Sequence, residues 1–176
     1  MKKMRTLTGK NDVILKNIEQ RDLADMAILA NDPAVAANLR DIFPSPYSLK
    51  DAEEFFALIQ EGKLDHVWGI YVKDKIAGVI TLTPQTDIYR HSAEIGYWLG
   101  APFRGKGVMT EAVSLLTAYA FNELSILRIY AGVFAYNEAS KQVLLKSGFH
   151  QEAVKVNAII KNGVLHDEHL MVIMNI

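Results

Sequence analysis

The chain has 176 residues, half of them hydrophobic and 22% charged, which fits one core in a single domain over residues 1–176 and excludes disordered, collagen-like and coiled-coil proteins. Lys plus Arg number 19 against 20 for Asp plus Glu, so the formal net charge is -1 and no basic footprint for nucleic acid exists. No cysteine is present, which removes disulfides, a thiolate nucleophile and a Cys-built zinc site, and suits a reducing cytoplasm as the expected compartment.

The polar, basic stretch Met1 to Asp12 has no apolar run and reads neither as a secretion signal nor as a membrane span. Val13, Ile14, Leu15 and Ile18 predict a first strand, and Leu23, Met26, Ala27 and Ala30 recur at helical spacing until Asn31-Asp32-Pro33 stops them. Asp41 to Tyr47 holds two of the five prolines and reads as a surface loop, in which Phe43 and Tyr47 need covering. Ser48 with Asp51 forms a capping-box pattern, and Ala52, Phe55, Phe56 and Ile59 share one face of the helix that follows, until Gly62.

From His66 to Leu82 the period changes to that of a hairpin turning at Lys73-Asp74-Lys75. A strand over Ala93 to Leu99, a glycine-rich turn over Gly100 to Gly107 and a helix to about Glu123 follow. Arg128 to Phe134 reads as a strand and Glu138 to Lys146 as a helix. Gly148-Phe149 opens a last strand pair around Asn162-Gly163. The pattern predicts an α/β (α+β) domain, one mixed sheet of about seven strands flanked by helices, with no internal repeat.

The informative segment runs from Glu94 to Ala112, where a strand passes through a turn into a helix N-terminus. Gly105 and Gly107 free the backbone for unusual dihedrals and close approach of a ligand. The first N–H groups of the helix lack internal partners, and the helix dipole adds partial positive charge there. Arg104 and Lys106 bring two full charges to the same place, so a diphosphate is the natural guest. The other reading is a tight strand-to-helix turn with solvated cations. A Walker loop does not match, and a dinucleotide fingerprint would need glycine where Thr110 stands.

The Arg104-x-x-Gly107-x-Met109 stretch, followed by Thr110-Glu111-Ala112, resembles the acetyl-CoA pyrophosphate loop of the GCN5-related N-acetyltransferases (GNAT superfamily), with Met109 departing from the usual Gly or Ala. Together with Ala93-Glu94-Ile95-Gly96-Tyr97-Trp98-Leu99 upstream and Asn137-Glu138-Ala139-Ser140 downstream, it is similar to the RimJ/RimL branch of ribosomal-protein N-terminal acetyltransferases and their relatives. The resemblance implies a mostly antiparallel sheet with a splayed parallel strand pair that admits the pantetheine arm of acetyl-CoA. It also implies a homodimer by family habit, and no metal.

Acetyl transfer from a thioester to an amine needs an anchored CoA, a neutral amine, charge stabilisation at the thioester oxygen and a proton for the leaving thiolate. The resemblance assigns the anchor to Arg104, Gly105, Lys106, Gly107, Val108 and Met109, mainly through backbone N–H groups, and the carbonyl-polarising backbone to the neighbourhood of Trp98 and Leu99. Trp98 reads equally as a core aromatic. Asn137 is assigned a contact to pantetheine and Ser140 the proton for the leaving sulfur, although both residue types also cap helices. The family's tyrosine acid, seven residues after that Asn, is replaced here by Leu144. Glu94 is the candidate base, or else a residue that orients neighbouring backbone. The acidic residue linked to base catalysis in the ribosomal enzymes has no counterpart within Asn157-Ala158-Ile159-Ile160.

His166-Asp167-Glu168-His169 looks like a metal cluster by composition, but strand alternation puts the two histidines on opposite faces, so it reads as a solvated edge strand. Glu53-Glu54 lies on the polar side of an amphipathic helix. The helix after Arg21, the proline loop and the helix after Ser48 are expected to build the acceptor side, with Phe43 and Tyr47 lining a pocket or plugging the core. The expected activity is transfer of acetyl from acetyl-CoA to a primary amine, a protein N-terminus or a small molecule, by direct attack, since no cysteine can carry an acetyl group. The alternative is a non-catalytic acyl-CoA-binding or regulatory module on the same fold, with neither nucleic acid nor membrane as partner.

Overall fold

The computed structural model describes residues 4–176; Met1 to Lys3, the start of the basic segment, lie outside the described residues. Strands β1 (Leu7–Thr8), β2 (Val13–Lys16), β3 (Val67–Val72), β4 (Lys75–Pro84), β5 (Ser92–Leu99), β6 (Arg128–Phe134), β7 (His150–Lys161) and β8 (Val164–Met174) form a sheet of order β1-β2-β3-β4-β5-β6-β8-β7. Helices α1 (Leu23–Ala30), α2 (Pro33–Ala36), α3 (Leu49–Gln60), α4 (Val108–Glu123) and α5 (Glu138–Lys146) complete the fold. The sheet has eight strands where the periodicity predicts about seven. The extra one, β1, is too short for alternation to register. It pairs with β2 through Leu7↔Leu15 and Thr8↔Ile14.

Two compact units divide the chain. The first holds the residues up to Leu82 together with Gly96–Ala112; the second holds Thr83–Ile95 and Val113–Ile176. In the first, β1 to β4 are consecutive antiparallel neighbours. Leu23, Met26, Ala27 and Ala30 of α1, the expected apolar stripe, are all buried, and with Ala52, Tyr71, Ile76 and Val79 they form one core cluster. Pro33 both ends and begins: α1 stops at Ala30, and Pro33 then opens α2, its fixed φ suiting a first helical position while the Asp32 side chain accepts the N–H of Ala34 at 2.9 Å.

The capping box at the start of α3 is formed. Ser48 N–H and Oγ donate to Asp51 Oδ2 at 2.7 and 2.6 Å, and these bonds from Ser48 hold the Asp51 carboxyl below its usual range. Phe43 and Tyr47 stack with centroids 4.9 Å apart, and both belong to the core cluster with Phe55, Phe56 and Ile59 of α3. They plug the core. The Tyr47 backbone N–H is held by Asn31 Oδ1 at 3.0 Å, which fastens the proline loop to the end of α1.

In the second unit β5 and β6 run parallel, paired at Ser92↔Arg128, Ala93↔Ile129 and Glu94↔Tyr130. β6 then pairs antiparallel with β8 from Arg128↔Met174 to Phe134↔Glu168. Ile129, Ala131 and Val133 are buried on one face of β6, whereas Arg128, Tyr130 and Gly132 share the other. The hairpin of β7 and β8 turns at Asn162 and Gly163, φ 50° and 77°, the two positive dihedrals that a tight Asn-Gly turn requires. β7 carries irregularities between Gln151 and Ala153 and between Lys155 and Ile159, and Asn157 N–H there donates to Asp167 Oδ1 at 2.8 Å. No helix among the described residues is long and apolar enough to cross a membrane.

Burial pushes the Tyr47 phenol up to about 12, with the Asp51 charge adding to it, and burial with a 2.6 Å hydrogen bond to Asp22 raises Tyr71 further. Because the folded pKa lies above the unfolded value of about 10, the stability these phenols contribute is complete below about pH 10 and declines as pH rises through the folded values. In an absorbance titration of phenolate, Tyr47→Phe is expected to leave the curve unchanged below about pH 11 and to remove amplitude above it.

Candidate functional site

The turn from β5 into α4 lies within the first unit. The chain leaves β5 close against β4: Gly100 N–H donates to Ala77 O at 2.8 Å, and a Cβ at Gly100 would lie 2.6 Å from Leu29 Cδ2. A side chain at Gly78 would run into the Trp98 carbonyl. After a 3-10 turn over Ala101–Phe103, Gly105 and Gly107 adopt φ of 72° and 75° with nothing within 4 Å of their missing Cβ atoms. Glycine is required there by backbone conformation and leaves open space beside the loop.

The helical ladder begins where Glu111 N–H donates to Gly107 O at 3.0 Å, so the N–H groups of Val108 and Met109 precede it at the open end of α4. Both residues belong to the buried core, 5% and 6% exposed. Met109 therefore takes the place of the smaller family residue by packing its side chain into the core and leaving only its amide at the helix end. Helix dipole, leading N–H groups and open space are together the chemistry that an anion requires.

The two cations of the loop have protein partners. Arg104 donates from Nε to Leu99 O at 3.0 Å and pairs through Nη2 with Asp32 Oδ2 at 2.9 Å, while Lys106 Nζ donates to Pro102 O at 2.7 Å. An ion pair this exposed is worth at most about 1 kcal/mol, so its role is geometric: it fixes the loop to the α1–α2 corner and to the last residue of β5. Glu111, whose charge sits in the first turn of α4, accepts the backbone N–H of Lys10 at 2.8 Å. Asp32 is the residue that sequence reasoning missed. Its position before Pro33 marks a helix cap, but its second oxygen serves a partner 72 residues away, which no local pattern encodes. Trp98 packs its ring against the core cluster, edge to face with Phe43 at 6.3 Å, and Leu99 contributes its carbonyl to Arg104.

The second unit holds Glu94, Asn137 and Ser140. Asn137 caps α5, its side chain accepting the N–H of Ser140 at 3.2 Å, so the two residues of the Asn-x-x-Ser pattern are brought together. Leu144 is fully buried and serves packing. Glu94 is half-buried at the last paired position of β5, opposite Tyr130. His166 packs its ring on Tyr136, with centroids 4.8 Å apart, three residues before His169 on β8.

Residues 12–150 match the family model described as the acetyltransferase (GNAT) domain. Bacillus subtilis YjcK, a probable N-acetyltransferase, is 39% identical over 63% of this chain and 62% of its own length, so the match spans less than two thirds of that relative. YoaA of the same organism, described as an uncharacterized N-acetyltransferase, is 32% identical over 90% of each chain. Among solved structures, the microcin C7 self-immunity acetyltransferase MccE, in complex with acetyl-CoA and AMP, superposes with a TM-score of 0.80 at 26% identity, over 94% of each chain. The fold, the glycine turn at the open end of α4 and these matches agree, and the chain belongs to the GNAT acetyltransferase domain family.

Proposed function

We propose that this chain is an N-acetyltransferase that transfers the acetyl group of acetyl-CoA to a primary amine by direct attack in a ternary complex, working as one domain over residues 1–176. The observation that carries the reading is the open N-terminus of α4, where Val108 and Met109 present amides beside two glycines in the left-handed region. These residues fit a pyrophosphate: their donors are backbone N–H groups, and no side chain fills the space beside the loop. Acetyl-CoA supplies an activated acyl group as a thioester.

Arg104 and Lys106 set the local charge while their hydrogen bonds hold the loop in shape. Backbone near Trp98 and Leu99 lies along the pantetheine in this reading. Asn137 orients that arm, Ser140 hands a proton to the departing sulfur, and Glu94 accepts the proton of the amine directly or through water. Positioning supplies much of the acceleration, with nitrogen and carbonyl carbon at roughly 3–3.5 Å. The acceptor is an amine of a protein N-terminus or of a small molecule. An α-amino group, with an ordinary pKa of about 8, needs little help to lose its proton near neutrality.

The test is thiol release from acetyl-CoA against peptides with N-terminal Ser, Ala or Met, polyamines and aminoglycosides. Release that depends on one amine class supports the reading. Acetyl-CoA binding by calorimetry with no release from any amine assigns the chain to the non-catalytic alternative. Ser140→Ala is expected to lower kcat by about 100-fold with the Kd for acetyl-CoA little changed. Asp32→Asn frees Arg104 and is expected to raise that Kd about two- to fivefold while kcat moves less.

A further inference from the structure

On β8 the carboxylate of Glu168 lies across the backbone of Gly132 on β6. A Cβ built at Gly132 would meet Glu168 Oε2 at 2.5 Å, Cδ at 2.7 Å and Oε1 at 3.1 Å. Gly132 is not among the described residues with positive φ, so its backbone does not demand glycine. What the missing side chain provides is room for this carboxylate.

The two oxygens of Glu168 have different surroundings. Oε1 accepts from Lys155 Nζ of β7 at 2.7 Å, which fixes the direction of the carboxylate. Oε2 has no hydrogen-bond partner among the described residues, although the side chain is only 19% exposed. A carboxylate with one oxygen held by the chain and the other open to solvent is placed to take a donor from outside the chain.

Its position on the sheet says which donor. Tyr130, Gly132 and Phe134 alternate onto one face of β6; Tyr130 is the partner of Glu94, and Phe134 is the partner of Glu168. Glu94 and Glu168 therefore share that face. Tyr130 is also the last β6 residue paired to β5, so Oε2 stands roughly 7 Å further along β6, where the parallel ladder has ended.

We propose that Oε2 of Glu168 receives an N–H of the acceptor's ammonium and so positions the nitrogen over the unpaired stretch of β6, with Glu94 the separate acceptor of the proton. The substrate class is an amine that arrives as a cation. The role rests on the acetyltransferase reading.

The experiment follows thiol release from acetyl-CoA by the full chain, with spermidine and a tetrapeptide bearing N-terminal Ser as first probes and the rest of the amine panel behind them. Glu168→Gln removes the charge and keeps the shape. Gly132→Ala keeps the charge but takes the space under it, moving only the end of a flexible side chain. Both are expected to raise the KM of the amine that the unaltered protein acetylates by about 10- to 100-fold, with kcat changing less than KM. Acetyl-CoA affinity by calorimetry stays within about twofold, because neither position belongs to the α4 loop. The double variant is expected to be no worse than the weaker single one. An unchanged amine KM in Glu168→Gln, in a protein that turns over, overturns this role alone. Absence of release from every amine with the unaltered chain overturns the acetyltransferase reading, and this role with it.

Discussion

Among the described residues, register pairs flank β6 on both sides for its first three residues and on one side after that. Ser92, Ala93 and Glu94 pair with Arg128, Ile129 and Tyr130, and from Ala131 onward the register with β8 continues while the register with β5 does not. Alternate N–H and C=O groups on that side of β6 are left without a ladder partner, and extended backbone does not tolerate this in a dry environment unless something else supplies the bonds. Much of the second unit is consistent with holding β6 in that one-sided arrangement. Its other edge is locked by seven register pairs to β8, its opposite face is buried through Ile129, Ala131 and Val133, and its end runs into the Asn137 cap of α5. One neighbour holds the strand, and in the proposed reading its other side serves an extended guest.

In the first unit the same economy appears in charge. A loop with Arg and Lys at alternate positions invites a picture of two cations reaching for an anion. Instead both heads are turned to carbonyls of the loop's own neighbourhood, and Arg104 also to Asp32. In the proposed reading the anion is left to amides at the end of α4, beside the positive backbone dihedrals of Gly105 and Gly107. Amides held in a fold cost no side-chain entropy when a ligand arrives, whereas long side chains do. The cations raise the local potential and stiffen the loop at the same time.

Much of this was legible in the sequence. Capping boxes, Asn-Gly turns and the apolar spacing of α1, α3 and α4 are local signals, and β6 and α5 begin and end where the pattern puts them. The glycine turn was legible because positive φ leaves a compositional mark. What escaped was non-local. β1 is two residues long and exists because Leu15 and Ile14 offer it an edge. Asp32 wears the signature of a helix cap, which is true and incomplete. Glu168 sits in a run that reads as an exposed strand; only the register of β6 with β8, and a glycine 36 positions earlier, turn its side chain into a carboxylate set over bare backbone.

Met109 divides its two halves between tasks, side chain to the core and amide to the helix end. That separation uncouples drift from duty at this position. Any apolar residue that the surrounding packing can absorb leaves the amide where it is, so the size of residue 109 is set by the core beneath the loop. A sequence pattern that insists on a small residue there tests the packing under α4 and says nothing of the direction of the amide.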